Sequence, residues 1–262
     1  MTRAIAARFT ELKANNRKAF IPFITAGDPD LETTIRLVSE LERAGSHIVE
    51  LGVPFSDPVA DGPVIQRASE RALKHGYRLS DYLSAVKTIR RESAIPIVLF
   101  SYFNPILQYG LERLATDARS AGVDGVLVTD MTPEEGGEYC ACLEQHGLDA
   151  IFLVAPTSDD RRVEAIARCS RGFIYLVSRT GITGERQSLS DSMAPTLARI
   201  RKHSELPVAV GFGVSRPEHV REVWKIADGA VVGSAIVSQI EKEGPSPELP
   251  SRIGAFCRWL TT

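Results

Sequence analysis

Val49 to Gly62 reads VELGVPFSDPVADG, a strand handing over to a helix through a loop with a carboxylate at each end. The apolar run His47-Ile48-Val49-Glu50-Leu51-Gly52-Val53 predicts the strand. Pro54 and Pro58 stiffen the loop, and Pro63 stands where a helix can start. Glu50 lies inside the strand, where successive side chains take opposite faces. Either face is apolar, and an unpaired charge buried there costs several kcal/mol. Asp61 follows eleven residues later and is free to fold back over the strand end. Each acid has a structural reading: Glu50 as half of a buried ion pair, Asp61 as a helix N-cap before Gly62-Pro63. Together, at the exit of one strand, they point to a general acid/base pair.

Working outward, the same strand-then-helix grammar recurs. Ile5, Phe9 and Leu12 have the spacing of an amphipathic helix ahead of the first strand, Ala19 to Thr25. Leu31 to Ala44 is helical, with Gly45 behind it as a terminator. After the Glu50 strand come helical segments at 63–75 and 79–91, then an apolar run at 96–101. A helix through Leu107 to Ala121 and a strand at Gly125 to Val128 follow. Next are a helix through Glu134 to His146 and a strand at Ala150 to Val154. Strands at Phe173 to Val177, Pro207 to Gly211 and Gly229 to Val232 alternate with further helices, among them one around Glu218 to Ile226. Helical patterns through Ile240 and Trp259 finish the chain, and 243–250 reads as an exposed loop. Gly122-Val-Asp-Gly, Gly147-Leu-Asp-Ala and Ala227-Asp-Gly-Ala each punctuate a helix just before a strand, a weak internal repeat. Continuous apolar strands fit a parallel sheet covered on both faces. Eight units in about 250 residues is the arithmetic of an α/β (β/α)8 TIM barrel, here with an extra helix at each end. A doubly wound sheet is the rival, but no GxGxxG follows the first strand. No linker divides the chain, so residues 1–262 read as a single TIM-barrel domain.

The 262 residues are 44% hydrophobic and 24% charged with a formal net charge of -2, enough for a sizeable core. That balance argues against a nucleic-acid or membrane-surface partner. MTRAIAARFTELK carries charges without an apolar centre, so it is not a secretory signal, and no run reaches the length of a membrane span. The cysteines, Cys140, Cys142, Cys169 and Cys257, read as reduced thiols of a cytoplasmic protein. Cys140-x-Cys142 sits in a helical pattern where i and i+2 diverge, and no second pair completes a metal site.

In a barrel the active site lies at the C-terminal ends of the strands, and Glu50 and Asp61 fall on that rim. Gly211-Phe212-Gly213 ends the seventh predicted strand, and Gly233-Ser234 ends the eighth just before a helix. Glycines let backbone N–H groups approach an anion, and a helix N-terminus adds its dipole. Ser178 to Gly184 (SRTGITG) opens a long loop able to supply more N–H groups and a lid. Phe23, Phe100, Tyr102, Leu127, Tyr175 and Phe212 gather on the same rim, enough apolar surface to sandwich a flat group. No lysine stands at a strand end for Schiff-base chemistry, and the histidines lie on helices or at a strand entrance, so the reaction implies no metal.

VELGVPFSDPVADGP, with FIPFITAGDP before it and LVSRTGITG, GFGVS and GSAIV after it, resembles the tryptophan synthase alpha subunit family over essentially the whole chain. The resemblance implies a carbon–carbon lyase of tryptophan biosynthesis. It would cleave indole-3-glycerol phosphate by a retro-aldol reaction to indole and glyceraldehyde 3-phosphate. Glu50 then matches the acid/base that serves indole C3 and the glycerol hydroxyl. Asp61 matches the carboxylate that holds the indole N–H, and Tyr175 a tyrosine beside the glutamate. Gly184, Gly213, Gly233 and Ser234 match the phosphate binders, and Phe23, Phe100, Tyr102, Leu127 and Phe212 the indole pocket. Pro54 and Asp57 correspond to a loop facing the beta subunit, and Thr180 and Thr183 to a lid. The implied assembly is a heterotetramer of two alpha and two beta chains. The alpha chain has no cofactor, and pyridoxal phosphate belongs to the beta subunit. Asp130-Met131-Thr132-Pro133 departs from the family, which often has proline sooner after the aspartate. Two rivals remain: another phosphate-binding barrel such as a phosphoribosyl isomerase, and a regulatory subunit that activates a partner without catalysis.

Overall fold

Parallel strands wrap into a nearly closed barrel, in the order β5-β4-β3-β2-β1-β9-β8-β7-β6. They are β1 (Ala19–Thr25), β2 (Val49–Gly52), β3 (Ile97–Ser101), β4 (Gly125–Val128), β5 (Asp149–Ile151), β6 (Leu153–Val154), β7 (Ile174–Val177), β8 (Val208–Gly211) and β9 (Gly229–Val232). The structure is a computed structural model and describes residues 3–177, 189–211 and 213–262. Thr180, Thr183, Gly184 and Phe212 lie outside the described residues.

The helices are α1 (Ala4–Ala14), α2 (Leu31–Arg43), α3 (Pro63–Leu73), α4 (Leu79–Ile89), α5 (Phe103–Tyr109) and α6 (Leu111–Ala121). They continue with α7 (Gly137–Gln145), α8 (Asp160–Cys169), α9 (Leu189–His203), α10 (Pro217–Ile226), α11 (Ser234–Glu243) and α12 (Leu249–Leu260). None of the described helices is long and apolar enough to cross a membrane.

Alternation along each strand divides the core in two. One set, with Ile24, Leu51, Leu99, Val126 and Val210, packs outward under the helices. The other, with Ile21, Ile48, Val98, Leu127, Ile151 and Val231, fills the barrel interior. Helix α1 closes the bottom: Ile5, Phe9 and Leu12 join the interior set, Phe9 meets Phe173 with ring centroids 5.8 Å apart, and Arg3 Nη1 donates to Asp149 Oδ1 at 2.8 Å.

Three local expectations change. The strand expected at Ala150 to Val154 is interrupted at Phe152, because it changes partner there: Leu127 pairs with Ile151, whereas Leu153 pairs with Tyr175. Side-chain alternation survives the break, with Ile151 inside and Phe152 outside against Tyr139. The helix expected through Leu107 to Ala121 is two helices, parted at Gly110, whose φ of 90° no helix accommodates. The exposed loop expected at 243–250 is shorter, since Leu249 and Pro250 are buried in the first turn of α12.

Candidate active site

Register fixes where Glu50 points. Phe23 pairs with Glu50 across β1 and β2, and Glu50 with Val98 across β2 and β3. Ile48 faces the interior and Val49 and Leu51 face the helices, so Glu50 faces the interior at its upper end. It is 0% exposed, and neither carboxylate oxygen has a hydrogen-bond partner among the described residues. The ion-pair reading is therefore not realised. Burial alone raises its pKa from 4.5 to about 8, so the carboxyl is mostly protonated at neutral pH.

The N-cap reading of Asp61 is not realised either. Gly62 is the N-cap of α3, with no side-chain cap bond. The Asp61 carboxylate instead accepts from the Tyr102 hydroxyl at 3.1 Å, and that hydroxyl accepts from the Ala60 N–H at 3.0 Å. Tyr102 is thus a clamp on the loop, backed by the Phe55 ring at 5.1 Å. Burial raises the Asp61 pKa to about 6, against the lowering effect of the Tyr102 bond. At pH 7 the anion prevails.

Helices α3 and α11, which flank this loop, are held by ion pairs. Arg71 donates from Nε and Nη2 to the two oxygens of buried Asp28, each at 2.8 Å, and from Nη1 to Glu241 Oε1 at 2.7 Å. A bidentate pair with one partner out of solvent fixes orientation more firmly than a surface bridge.

Both acids line one cavity of about 300 Å³ at the barrel mouth, with Phe23, Phe100 and Tyr175 in its wall. Phe23 and Phe100 meet edge-on with centroids 5.1 Å apart. Tyr175 is nearly buried, and burial followed by the charges of Glu50 and Asp61 keeps its hydroxyl protonated. Two glycines make room for these rings. A Cβ on Gly52 would overlap the far edge of Phe23, and one on Gly211 would overlap the Tyr175 hydroxyl.

Gly213, Gly233 and Ser234 also line the cavity. Gly213 has φ of 74°, which turns the chain after β8, and Gly233 is the N-cap of α11. The first N–H groups of a helix have no intrahelical partner, and α11 has no acidic residue in its first turn to compete for them. Free amides and the helix dipole both favour negative charge at this position.

Of the residues expected here, Tyr102 and Leu127 are not brought to the cavity wall. Tyr102 lies beneath the Asp61 loop, and Leu127 is packed in the interior with Val98 and Ile151. Pro54 is buried at the root of the loop; Asp57 is exposed and borders an outer groove with Phe55, Val59 and Leu73. Thr129, Leu153, Val177 and Ser215 line the cavity without having been singled out in the sequence. Parity could have found Val177, two residues beyond Tyr175 on the same face.

A parallel barrel whose mouth holds a neutral carboxylic acid, an anionic carboxylate, an apolar wall and free backbone amides is equipped for acid/base chemistry on an anionic, partly apolar substrate. The profile of the family described as tryptophan synthase alpha chain matches residues 9–252, so the chain belongs to that family. The tryptophan synthase alpha chain of Solibacter usitatus is 53% identical over 260 residues, covering 99% of this chain and 97% of that one. That of Geobacter sulfurreducens is 54% identical over 238 residues, 91% of this chain and 90% of the relative. Among solved structures, tryptophan synthase subunit alpha of Legionella pneumophila superposes with a TM-score of 0.90 at 36% identity, covering 100% and 99% of the two chains. A tryptophan synthase α2β2 complex from Pyrococcus furiosus gives 0.86 at 40% identity, over 92% of this chain and 97% of that one.

Proposed function

We propose that this chain is the alpha subunit of a tryptophan synthase, a cytoplasmic lyase that splits indole-3-glycerol phosphate into indole and glyceraldehyde 3-phosphate. One observation carries the reading: Glu50 and Asp61 share a cavity that is also lined by Gly213, Gly233 and Ser234. The phosphate sits on the amides of those last three residues, and the indole ring lies against the edge-on pair of Phe23 and Phe100 with its N–H toward Asp61.

Glu50 acts first as an acid. Its proton goes to indole C3, and the positive charge that develops at the ring nitrogen is stabilised by the Asp61 anion. The Glu50 carboxylate then takes the proton of the glycerol hydroxyl next to the scissile bond. That carbon becomes an aldehyde, the carbon–carbon bond breaks, and its electron pair returns to the ring. Indole leaves neutral and Glu50 is again protonated, so proton and charge balance over the cycle.

In this reading the chain brings no cofactor of its own. Its partner is a beta chain carrying pyridoxal phosphate, in an assembly of two alpha and two beta chains like the α2β2 Pyrococcus furiosus relative. The loop of Pro54 and Asp57 and the residues Thr180 and Thr183 remain the proposed partner face and lid, Gly184 a proposed phosphate binder, and Phe212 a proposed indole contact. Incubation with indole-3-glycerol phosphate should release indole and glyceraldehyde 3-phosphate one to one, faster with a beta chain present. No release in either case, with partner activation preserved, would instead make this a regulatory subunit.

The Phe23 wall gives a separate check. Gly52→Ala should drive that ring into the cavity and raise KM for indole-3-glycerol phosphate by about tenfold, the scale of one misplaced apolar group. An unchanged KM would remove Phe23 from the substrate's surroundings.

A further inference from the structure

Cys140 and Cys142 are neighbours in sequence but not in chemistry. Cys140 turns toward Cys169 in a crevice between α7 and α8. Cys142 faces α6 instead, where its sulfur, an oxygen of Glu112 and a ring nitrogen of His146 all lie within 4.8 Å of one another. Glu112 sits in the first turn of α6, Cys142 in α7, and His146 is the C-cap of α7.

The histidine is already held as a ligand would be. Its Nδ1 is 2.9 Å from the Cys142 carbonyl oxygen, which can only accept, so Nδ1 carries the proton and Nε2 presents its lone pair. A metal-binding imidazole is characteristically oriented this way, by donating its other N–H to a backbone carbonyl. Nε2 faces Thr116 Oγ1 at 3.2 Å and Glu112 Oε2 at 3.7 Å. Tetrahedral zinc ligands at ordinary bond lengths stand about 3.3–3.7 Å apart, so the exposed Glu112 carboxylate needs little adjustment.

We infer that Glu112, Cys142 and His146 form a zinc-type site that clips α6 to α7, apart from the barrel mouth. Sulfur, imidazole and carboxylate together suit a borderline divalent ion rather than calcium or magnesium, and water completes the fourth position. A thiolate and a carboxylate with a neutral imidazole balance the charge of the ion. Without it the thiol stays protonated, because burial and Glu112 raise its pKa to about 11. Binding therefore releases the thiol proton to solvent.

Cobalt(II) titration of the full-length, reduced chain tests this, because a cobalt–thiolate bond produces a charge-transfer band. The band should saturate at one cobalt per chain and vanish when zinc is added. Cys142→Ser should abolish it, whereas the double variant Cys140→Ser with Cys169→Ser should leave it intact. Cys142 is buried, so its variant risks misfolding. The more exposed changes Glu112→Gln and His146→Gln guard against that: each should weaken binding at least tenfold with an unchanged circular dichroism spectrum. No band at stoichiometric cobalt, a band that survives Cys142→Ser, or full affinity in both exposed variants would overturn the site.

Discussion

Glu50→Gln should stop indole release and at the same time make the protein harder to unfold. The amide keeps the size of the carboxyl but cannot deliver a proton to indole C3 or take one from the hydroxyl. General acid/base catalysis by one group is worth about 10²–10⁴-fold, and in the proposed cycle one group serves two transfers, so the loss should sit at the upper end. The stability gain follows from linkage. In the folded chain the carboxyl titrates at about 8, against 4.5 for an ordinary glutamate. Between those values the folded state holds a proton that the unfolded state releases, so stability falls as pH rises and levels off above about 8. At pH 7 that loss is on the order of 3 kcal/mol, and glutamine, which cannot ionise, escapes it. Denaturant unfolding of both proteins at pH 5, 7 and 8.5 should show the gap widening with pH. A constant gap would mean that Glu50 is ionised in the fold, and its role as an acid would fail with it.

Asp61→Asn should lower kcat by about 10²–10³, the cost of removing one preorganised partner of a developing charge. The pH profile is the sharper reading. In the proposed mechanism kcat/KM needs Asp61 ionised, above about 6, and Glu50 protonated, below about 8, so it should peak near pH 7. Asparagine removes the acid limb and leaves the alkaline one. Tyr102→Phe should keep both limbs but move the acid one upward, since the lost hydroxyl bond lowers the Asp61 pKa. An acid limb that persists in Asp61→Asn would give that titration to another group.

The barrel was legible in the sequence because the strands are mostly apolar runs and several helices are closed by a glycine, among them Gly45, Gly122 and Gly147. What stayed hidden depends on contacts between distant segments. The gap at Phe152 reflects a change of hydrogen-bond partner, which leaves no mark on hydropathy. Glu50 and Asp61 were conspicuous because a strand interior and a proline-rich loop are unusual places for carboxylates. Yet only the register decides that Glu50 faces inward unpaired, and only Tyr102, forty-one residues from Asp61, decides that Asp61 is not a cap. Leu127 and Tyr102 have the composition of pocket residues, but depth within the barrel is set by strand stagger, which no local pattern records. Cys142 and His146 are four apart on one helix face, a spacing overshadowed by the Cys-x-Cys beside it.

Helix α1 has a consequence for how the chain is made. Phe9 rests on Phe173, and Arg3 holds Asp149, 146 positions downstream. During synthesis the first helix therefore emerges long before its seat exists, and its apolar stripe stays uncovered while more than half of the polypeptide is added. The floor of the barrel precedes every strand in the chain, and its docking has to wait for β7.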